Sequence, residues 1–320
     1  MTTLVWRTDV HMADFSPQSR TDDWTETLLG KLSQVGHIAE EVKADAVIDG
    51  GDLFHVKSPS RNSHELVGKV ASIHNTYPCP VYGTIGNHDV KYGSMEFLQE
   101  SPLGVLFHTG NMRRLYGIHE AIFTDGNITV RVVGIPYHGT SYDMELFRKI
   151  KKGSEDYLVV AAHVLASPKG GTLFESEDVV SYHFLGDLEP DVWLLGHWHK
   201  NQGIVEQNGK WIVNIGSLSR GSLSQDDINR IPACAVLKFD SEGIDIQAIP
   251  LEVKPASEVF NLQGKARADA KSMSMDVFVD SLKDSLMTQS GDSLIDQIRD
   301  MPGVDNQVRE KALLYLEQVK

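Results

Sequence analysis

Residues 80–89 read Pro-Val-Tyr-Gly-Thr-Ile-Gly-Asn-His-Asp. Residues 80–85 form a short apolar run, the signature of a buried strand, and Gly86 stops it. Three polar side chains then follow at once: Asn87, His88 and Asp89. The same grammar recurs along the chain. A strand at 3–7 leads to Asp9 and His11. A strand at 45–49 (Asp-Ala-Val-Ile-Asp) is stopped by Gly50 and Gly51, and Asp52 follows. A strand at 157–162 ends at His163, and one at 192–195 opens into Gly196-His197-Trp198-His199. Between the first strands, Trp24, Leu28, Leu32, Val35, Ile38, Ala39 and Val42 fall at helical spacing, as do Leu66, Val67, Val70 and Ile73. Residues 115–123 and 128–135 read as paired strands around the Asp125-Gly126 turn, and a helix is expected near 177–185. The pattern predicts an α/β domain whose polar residues gather at the C-terminal ends of its strands, where α/β sheets bind ligands.

The gathered side chains are carboxylates, imidazoles and one amide oxygen, and no thiol is among them. Such donors suit Mn²⁺, Fe²⁺ or Zn²⁺. One carboxylate can bridge two ions while the others complete each shell, and two such ions can clamp a phosphate. A one-residue gap, as in Asp9-Val10-His11 or His197-Trp198-His199, lets both side chains turn to one centre as the chain leaves its strand.

Five motifs in order, Asp9-x-His11, Gly51-Asp52, Gly86-Asn87-His88-Asp89, His163 and Gly196-His197-x-His199, resemble the calcineurin-like metallophosphoesterases over residues 9–199. The resemblance implies a β-sandwich of two packed sheets flanked by helices. It implies two divalent metal ions, with Mn²⁺ first and Fe²⁺ or Zn²⁺ as alternatives. Asp9, His11 and His199 would hold one ion; Asn87, His163 and His197 would hold the other; Asp52 would bridge. The spacing of the Gly-Asp motif selects Asp52 over Asp49. His88 would face the substrate and stabilise or protonate the leaving oxygen, with Asp89 orienting its ring.

Within the superfamily, Gly51-Asp52-Leu53-Phe54-His55 looks most like the DNA-repair nucleases of the SbcD and meiotic-recombination-eleven type, in which the second histidine helps place the strand. The implied activity is a DNA exonuclease and single-strand endonuclease. The implied partners are DNA, a coiled-coil ATPase of the SbcC type and a second copy of the chain. The rival reading is a small-molecule phosphodiesterase or phosphatase, for example on cyclic nucleotides, which uses the same metal motifs.

The remaining sequence bounds these readings. The chain has 320 residues and a formal charge of −14. Residues 1–254 carry 22 basic and 33 acidic residues and the rest carries 8 and 11, so no basic half is hidden. DNA binding should therefore be weak without metals or a partner. Two cysteines, Cys79 and Cys234, cannot build a disulfide framework, and residues 1–6 lack a signal-peptide pattern. No apolar run nears the roughly 20 residues that span a bilayer. A cytoplasmic enzyme that does not enter membranes is the expectation. Lys57, Arg61 and Lys200 are candidate phosphate contacts; the run from Arg148 to Lys152 reads as a solvated helix end. Asn214, Gly216 and Ser217 read equally as a loop at the site or a hairpin exit. After residue 254 the texture becomes helical, so the expected domains are 1–254 for the metallophosphoesterase and 255–320 for a small helical cap or partner-binding segment.

Overall fold

A computed structural model describes residues 1–55, 62–170, 177–264 and 309–310. The chain divides into a unit Met1–Phe260 and a second unit Asn261–Lys320. Most of the expected helical segment 255–320 lies outside the described residues. Among the described residues, no helix is long and apolar enough to cross a membrane.

In chain order the first unit runs β1 (Thr2–Arg7), α1 (Trp24–Glu41), β2 (Ala46–Asp49), α2 (His64–Asn75), β3 (Val81–Gly83), α3 (Pro102–Thr109), β4 (Arg113–Arg114), β5 (Ala121–Asp125) and β6 (Ile128–Ile135). It continues with α4 (Met144–Arg148), β7 (Tyr157–His163), β8 (Ala166–Ser167), β9 (Val180–Ser181), α5 (Tyr182–Gly186), β10 (Val192–Gly196), β11 (Gly203–Gln207) and β12 (Lys210–Asn214). It closes with α6 (Gln225–Asn229), β13 (Ala233–Asp240), β14 (Gly243–Pro250) and α7 (Ala256–Val259).

Two six-stranded mixed sheets result, in the orders β14-β13-β1-β2-β3-β4 and β11-β12-β10-β7-β6-β5. β1 to β4 pair in parallel, as do β6, β7, β10 and β12; β13, β14, β5 and β11 are antiparallel additions. Alternation along each strand explains the layering. Leu4, Trp6 and Ile48 of one sheet share a core with Val132, Val159, Ala161 and Leu194 of the other. Val5 and Val47, on the opposite face, pack with Leu28, Leu32 and Val35 of α1 and Val70 of α2. Val160, Trp193 and Leu195 pack outward against Phe147 of α4 and Leu185 of α5. Both faces of the central strands are thus covered, which is why they read as continuous apolar runs. Each fully buried aliphatic or aromatic side chain contributes roughly 1.5–3 kcal/mol relative to exposure.

Caps set the helix limits. Asp23 accepts from the Glu26 N–H at the start of α1, and Ser63 from the Leu66 N–H at the start of α2. Three details depart from the sequence pattern. The run at 115–123 is not one strand: the chain turns at Gly117 (φ 65°) and crosses from β4 in one sheet to β5 in the other. α3 has too short an apolar run to show a helical period; Ser101 and Pro102 start it and left-handed Gly110 stops it. The expected helix at 177–185 is confined to α5, because Val180 and Ser181 pair with Ala166 and Ser167.

Beneath the sheet of β1 lies a buried polar knot. Arg7 pairs with Asp49 at 2.8 Å and donates to Tyr77 Oη at 2.8 Å and to His74 Nε2 at 2.7 Å. His74 must offer a lone pair there, and its pKa falls well below 6.5 through burial and the Arg7 charge. The unfolded chain therefore takes up this proton first, and the stabilisation is full above pH 6.5 and shrinks as pH falls below it. We expect the wild type to lose up to about 1.4 kcal/mol per pH unit in that window relative to His74→Leu. Urea midpoints of both proteins at about pH 7.5 and about pH 5.5 check this; parallel losses would refute it.

Candidate metal centre

The C-terminal ends of β1, β2, β3, β7 and β10 meet in one place. The backbone makes the meeting possible. Asp9 N–H donates to Gly51 O at 3.1 Å and His11 N–H to Asp52 O at 2.9 Å, so the loops after β1 and β2 run side by side. Asp9 (φ 54°), His11 (φ 53°), Asp52 (φ 54°) and His197 (φ 82°) all sit in the left-handed region. For residues with a Cβ this conformation costs of order 1–3 kcal/mol each, and surrounding structure must hold it. Gly86 is required by contact: a Cβ there would lie 2.0 Å from Asp52 Oδ1.

The side chains form two groups that share Asp52. Asp9, His11, Asp52 and His199 bring their ligand atoms within 4.8 Å of one another, and so do Asp52, His163 and His197. Asp52 Oδ2 lies 3.6 Å from His11 Nε2 and 3.5 Å from His163 Nε2, between the groups. His199 Nε2 is 3.5 Å from Asp9 Oδ1 and 2.9 Å from His11 Nε2. Asn87 Oδ1 is 3.3 Å from His163 Nε2. The seven residues expected to bind metal are therefore gathered in one place.

The donor set fits cations. His163 Nδ1–H donates to Gly50 O at 2.7 Å, which turns Nε2 toward Asp52 and Asn87. Lone pairs converging on one point call for a positive charge. Burial opposes a charge on His163, yet the Asp52 carboxylate outweighs it and raises the imidazole to about 10. Burial lowers His11 to about 3, helped by His199 and His88, which keeps it in the neutral form that a ligand needs. Asp9 and Asp52 stay well below the ordinary carboxylate range despite burial, because His199 faces Asp9 and His163 and His11 face Asp52.

One expected role changes. Asp89 does not orient the His88 ring. Its carboxylate accepts from the backbone N–H groups of Asp52 (2.7 Å), Gly86 (2.9 Å) and Phe54 (3.3 Å), tying the loop after β2 to the loop after β3. Burial, reinforced by the Asp52 charge, pushes its pKa well above the usual range. The His88 ring is instead aligned by the His55 carbonyl, 2.9 Å from its Nδ1, and by stacking on the His55 ring at 5.3 Å. His55 also sets its Nδ1 3.3 Å from His11 Nδ1.

Sequence patterns missed Glu177. Its Oε1 lies 3.0 Å from His197 Nε2 and accepts from Tyr142 Oη at 2.6 Å. A carboxylate on one ring nitrogen fixes the tautomer and leaves the other nitrogen for a metal. The only sequence signal was an acidic residue in a polar stretch, which points nowhere by itself. The loop after β12 proves to be a brace at the site. Ser217 N–H donates to His199 O at 2.9 Å, Leu218 N–H to Thr8 O at 3.0 Å, and Ser219 Oγ to Asp9 O at 3.2 Å. Lys200 lies in the cavity beside the histidines, whereas Lys57 and Arg61 fall outside the described residues. Arg148, Lys151 and Lys152 are engaged by Glu145, Glu189 and Asp191.

Residues 5–201 match the calcineurin-like phosphoesterase family. The chain belongs to that family. Family members use a dinuclear divalent metal site, and the two groups sharing Asp52 are its candidate ligands in this phosphoesterase. It is thus a metal-dependent hydrolase with a mixed α/β fold of two sheets flanked by helices. It is 24% identical over 211 residues to the DNA double-strand break repair protein Mre11 of Methanosarcina acetivorans, covering 65% of this chain and 32% of that protein. It is 21% identical over 208 residues to the same-named protein of Methanosarcina mazei, with the same coverage. The chain therefore spans about a third of the length of these relatives. Among solved structures, a dimetal phosphatase from Danio rerio is similar at TM-score 0.48 and 11% identity, covering 78% of this chain and 99% of that one. An archaeal phosphodiesterase is similar at TM-score 0.36 and 12% identity, covering 78% and 100%.

Two substitutions test the supporting contacts. Glu177→Gln should weaken one of two bound Mn²⁺ ions by about 10–100-fold and leave the other unchanged, as read by titration calorimetry. Asp89→Ala leaves three buried N–H groups unmatched and should cost roughly 2–4 kcal/mol in urea unfolding. A change under about 0.5 kcal/mol would return Asp89 to a role outside the scaffold.

Proposed function

We propose that this phosphoesterase hydrolyses phosphodiesters of DNA, as a manganese-dependent exonuclease and single-strand endonuclease of DNA repair or recombination. The observation that carries the reading is the stacked pair of His55 and His88 beside the metal ligands, with ring planes 14° apart. His88 Nδ1 donates to the His55 carbonyl, so the proton it passes to a leaving oxygen must sit on Nε2. His11 turns Nε2 toward Asp9 and Asp52, so its Nδ1–H donates to His55 Nδ1. The His55 proton then lies on Nε2, so that ring offers one N–H to a phosphate chain, and His88 offers a second from Nε2 when its ring is an imidazolium. The names of the Methanosarcina relatives support a DNA substrate. Bound by the seven ligands, divalent ions would supply charge stabilisation at the phosphoryl oxygens and a more acidic water.

A second reading, hydrolysis of a small phosphodiester, is favoured by a different observation. A cavity of about 550 Å³ adjoins the histidines, with Phe15, Trp24 and Trp198 in its lining and Lys200 as its cation. That volume suits a small molecule. Assays on single-stranded and duplex DNA, bis-p-nitrophenyl phosphate and cyclic nucleotides, each with Mn²⁺, separate the two. Cleavage of cyclic nucleotides with none of DNA would sink the first reading. In either case His88→Ala should cut turnover by about 100-fold or more while retaining two metals per chain. Loss of metal in that variant would make His88 a ligand.

A further inference from the structure

Three rings in succession border the cavity of about 550 Å³ beside the metal ligands. His88 stacks on His55, and the Phe15 ring meets the His55 ring edge-on, at 6.1 Å and 66°. All three residues line the cavity. Phe15 is 44% exposed, whereas Trp24 and Leu165 of the same lining are 3% and 5% exposed. An aromatic ring is therefore held open to solvent next to the histidine that faces the leaving oxygen. The charged part of the lining does not suit a run of phosphates, which needs cations along its length. Lys200 is its one lysine or arginine, and Asp226 and Asp227 stand in the same lining. Arg230 pairs with both carboxylates, at 3.3 and 2.9 Å, and the Ser222 N–H donates to Asp227 at 2.8 Å, so they are fixed where they stand. A neutral, flat group needs only an aromatic face and room, and the volume falls within the roughly 300–1,000 Å³ of ligand clefts.

We propose that this cavity is a nucleobase subsite, in which the base joined to the phosphate under hydrolysis stacks on Phe15. The inference rests on the phosphodiester reading and names what flanks the phosphate. His11, His197 and His199 line the cavity along with His88, so a phosphodiester at the metal ligands leads one of its ester groups into it. Stacking on an aromatic side chain is worth about 5–150-fold in affinity per base, and it tolerates any base because every base has a π-face. The ligand class is accordingly nucleotides without regard to sequence. Two sources can supply the base: the end of a DNA strand, or a free cyclic nucleotide. A base paired in a duplex must first unstack, which favours single strands and frayed ends.

Titration calorimetry on the full, manganese-loaded chain tests this without turnover. Deoxyadenosine 3′- and 5′-monophosphates are compared with the same phosphates of an abasic deoxyribose analogue. At least one nucleotide should bind about tenfold or more tightly than its base-free counterpart. Phe15→Leu keeps the apolar bulk without a ring; it should lose most of that advantage and leave base-free binding unchanged. Phe15→Trp should retain the advantage. Equal binding with and without the base, or an advantage that survives Phe15→Leu, would overturn the proposal. Should Phe15→Leu fail to fold, the wild-type comparison decides alone. Single-stranded DNA cleaved with no base advantage strikes the subsite and keeps the DNA reading; an advantage without DNA cleavage does the reverse. With the advantage present, DNA cleavage that slows when the terminal bases are removed assigns a strand end as the source. Cleavage of cyclic nucleotides alone assigns a free nucleotide, and both results support the subsite.

Discussion

Two carboxylates buried between two sheets govern the rest of this structure. Asp9 and Asp52 have almost no contact with solvent, and both remain ionised. A buried anion is tolerated only with positive charge or strong donors around it. Here imidazoles from three other strand ends supply that company, and the backbone N–H groups of His88 and His197 complete it. The arrangement holds negative charge where two dications can share it. It also explains why an acidic chain can address phosphates: attraction is placed at one point and is not spread over a basic surface.

Holding this charge takes a scaffold that tolerates strain. Four of the gathered residues adopt left-handed backbone, a choice no isolated loop would keep. Three sets of contacts hold it. Asp89 collects N–H groups from two loops, the β12 loop braces Asp9 and His199 from behind, and Glu177 with Tyr142 fixes His197 from the side. None of these groups need touch a substrate, yet the centre would loosen without each of them.

The strand ends were legible in the sequence because a short apolar run followed closely by His or Asp, at β2 and β10 through Gly, marks a buried strand opening onto a polar edge. Asp9, His11, Asp52, His163, His197 and His199 are at strand ends for that reason, and the covered faces of β1, β2, β7 and β10 follow from uninterrupted apolar runs. The supporting contacts were not legible. Asp89 sits inside a motif, so its neighbourhood to His88 suggested a partner that three dimensions deny; it turns away into the protein while the ring turns out. Glu177 lies 20 residues before His197 in sequence and meets it only through folding. α3 carried its signals, Ser-Pro before and Gly after, but its short apolar run has no periodicity to count. Gly117 hid a crossing between sheets inside what reads as a strand.

The pairing of β1 with β13 has a consequence for synthesis. β1 occupies an inner place in its sheet, between β2 and a strand that begins at Ala233. The brace that holds Asp9 likewise comes from residues 217–219. The first ligand-bearing segment to leave the ribosome is therefore among the last to be completed. Until residues 217–240 have emerged, β1 has an open edge and Asp9 an unsupported turn. Such non-local topology folds slowly and exposes apolar strands while it waits. Capture of metal by the finished centre is then a late event in the life of each molecule, and a translation arrest before β13 would leave an edge prone to aggregation.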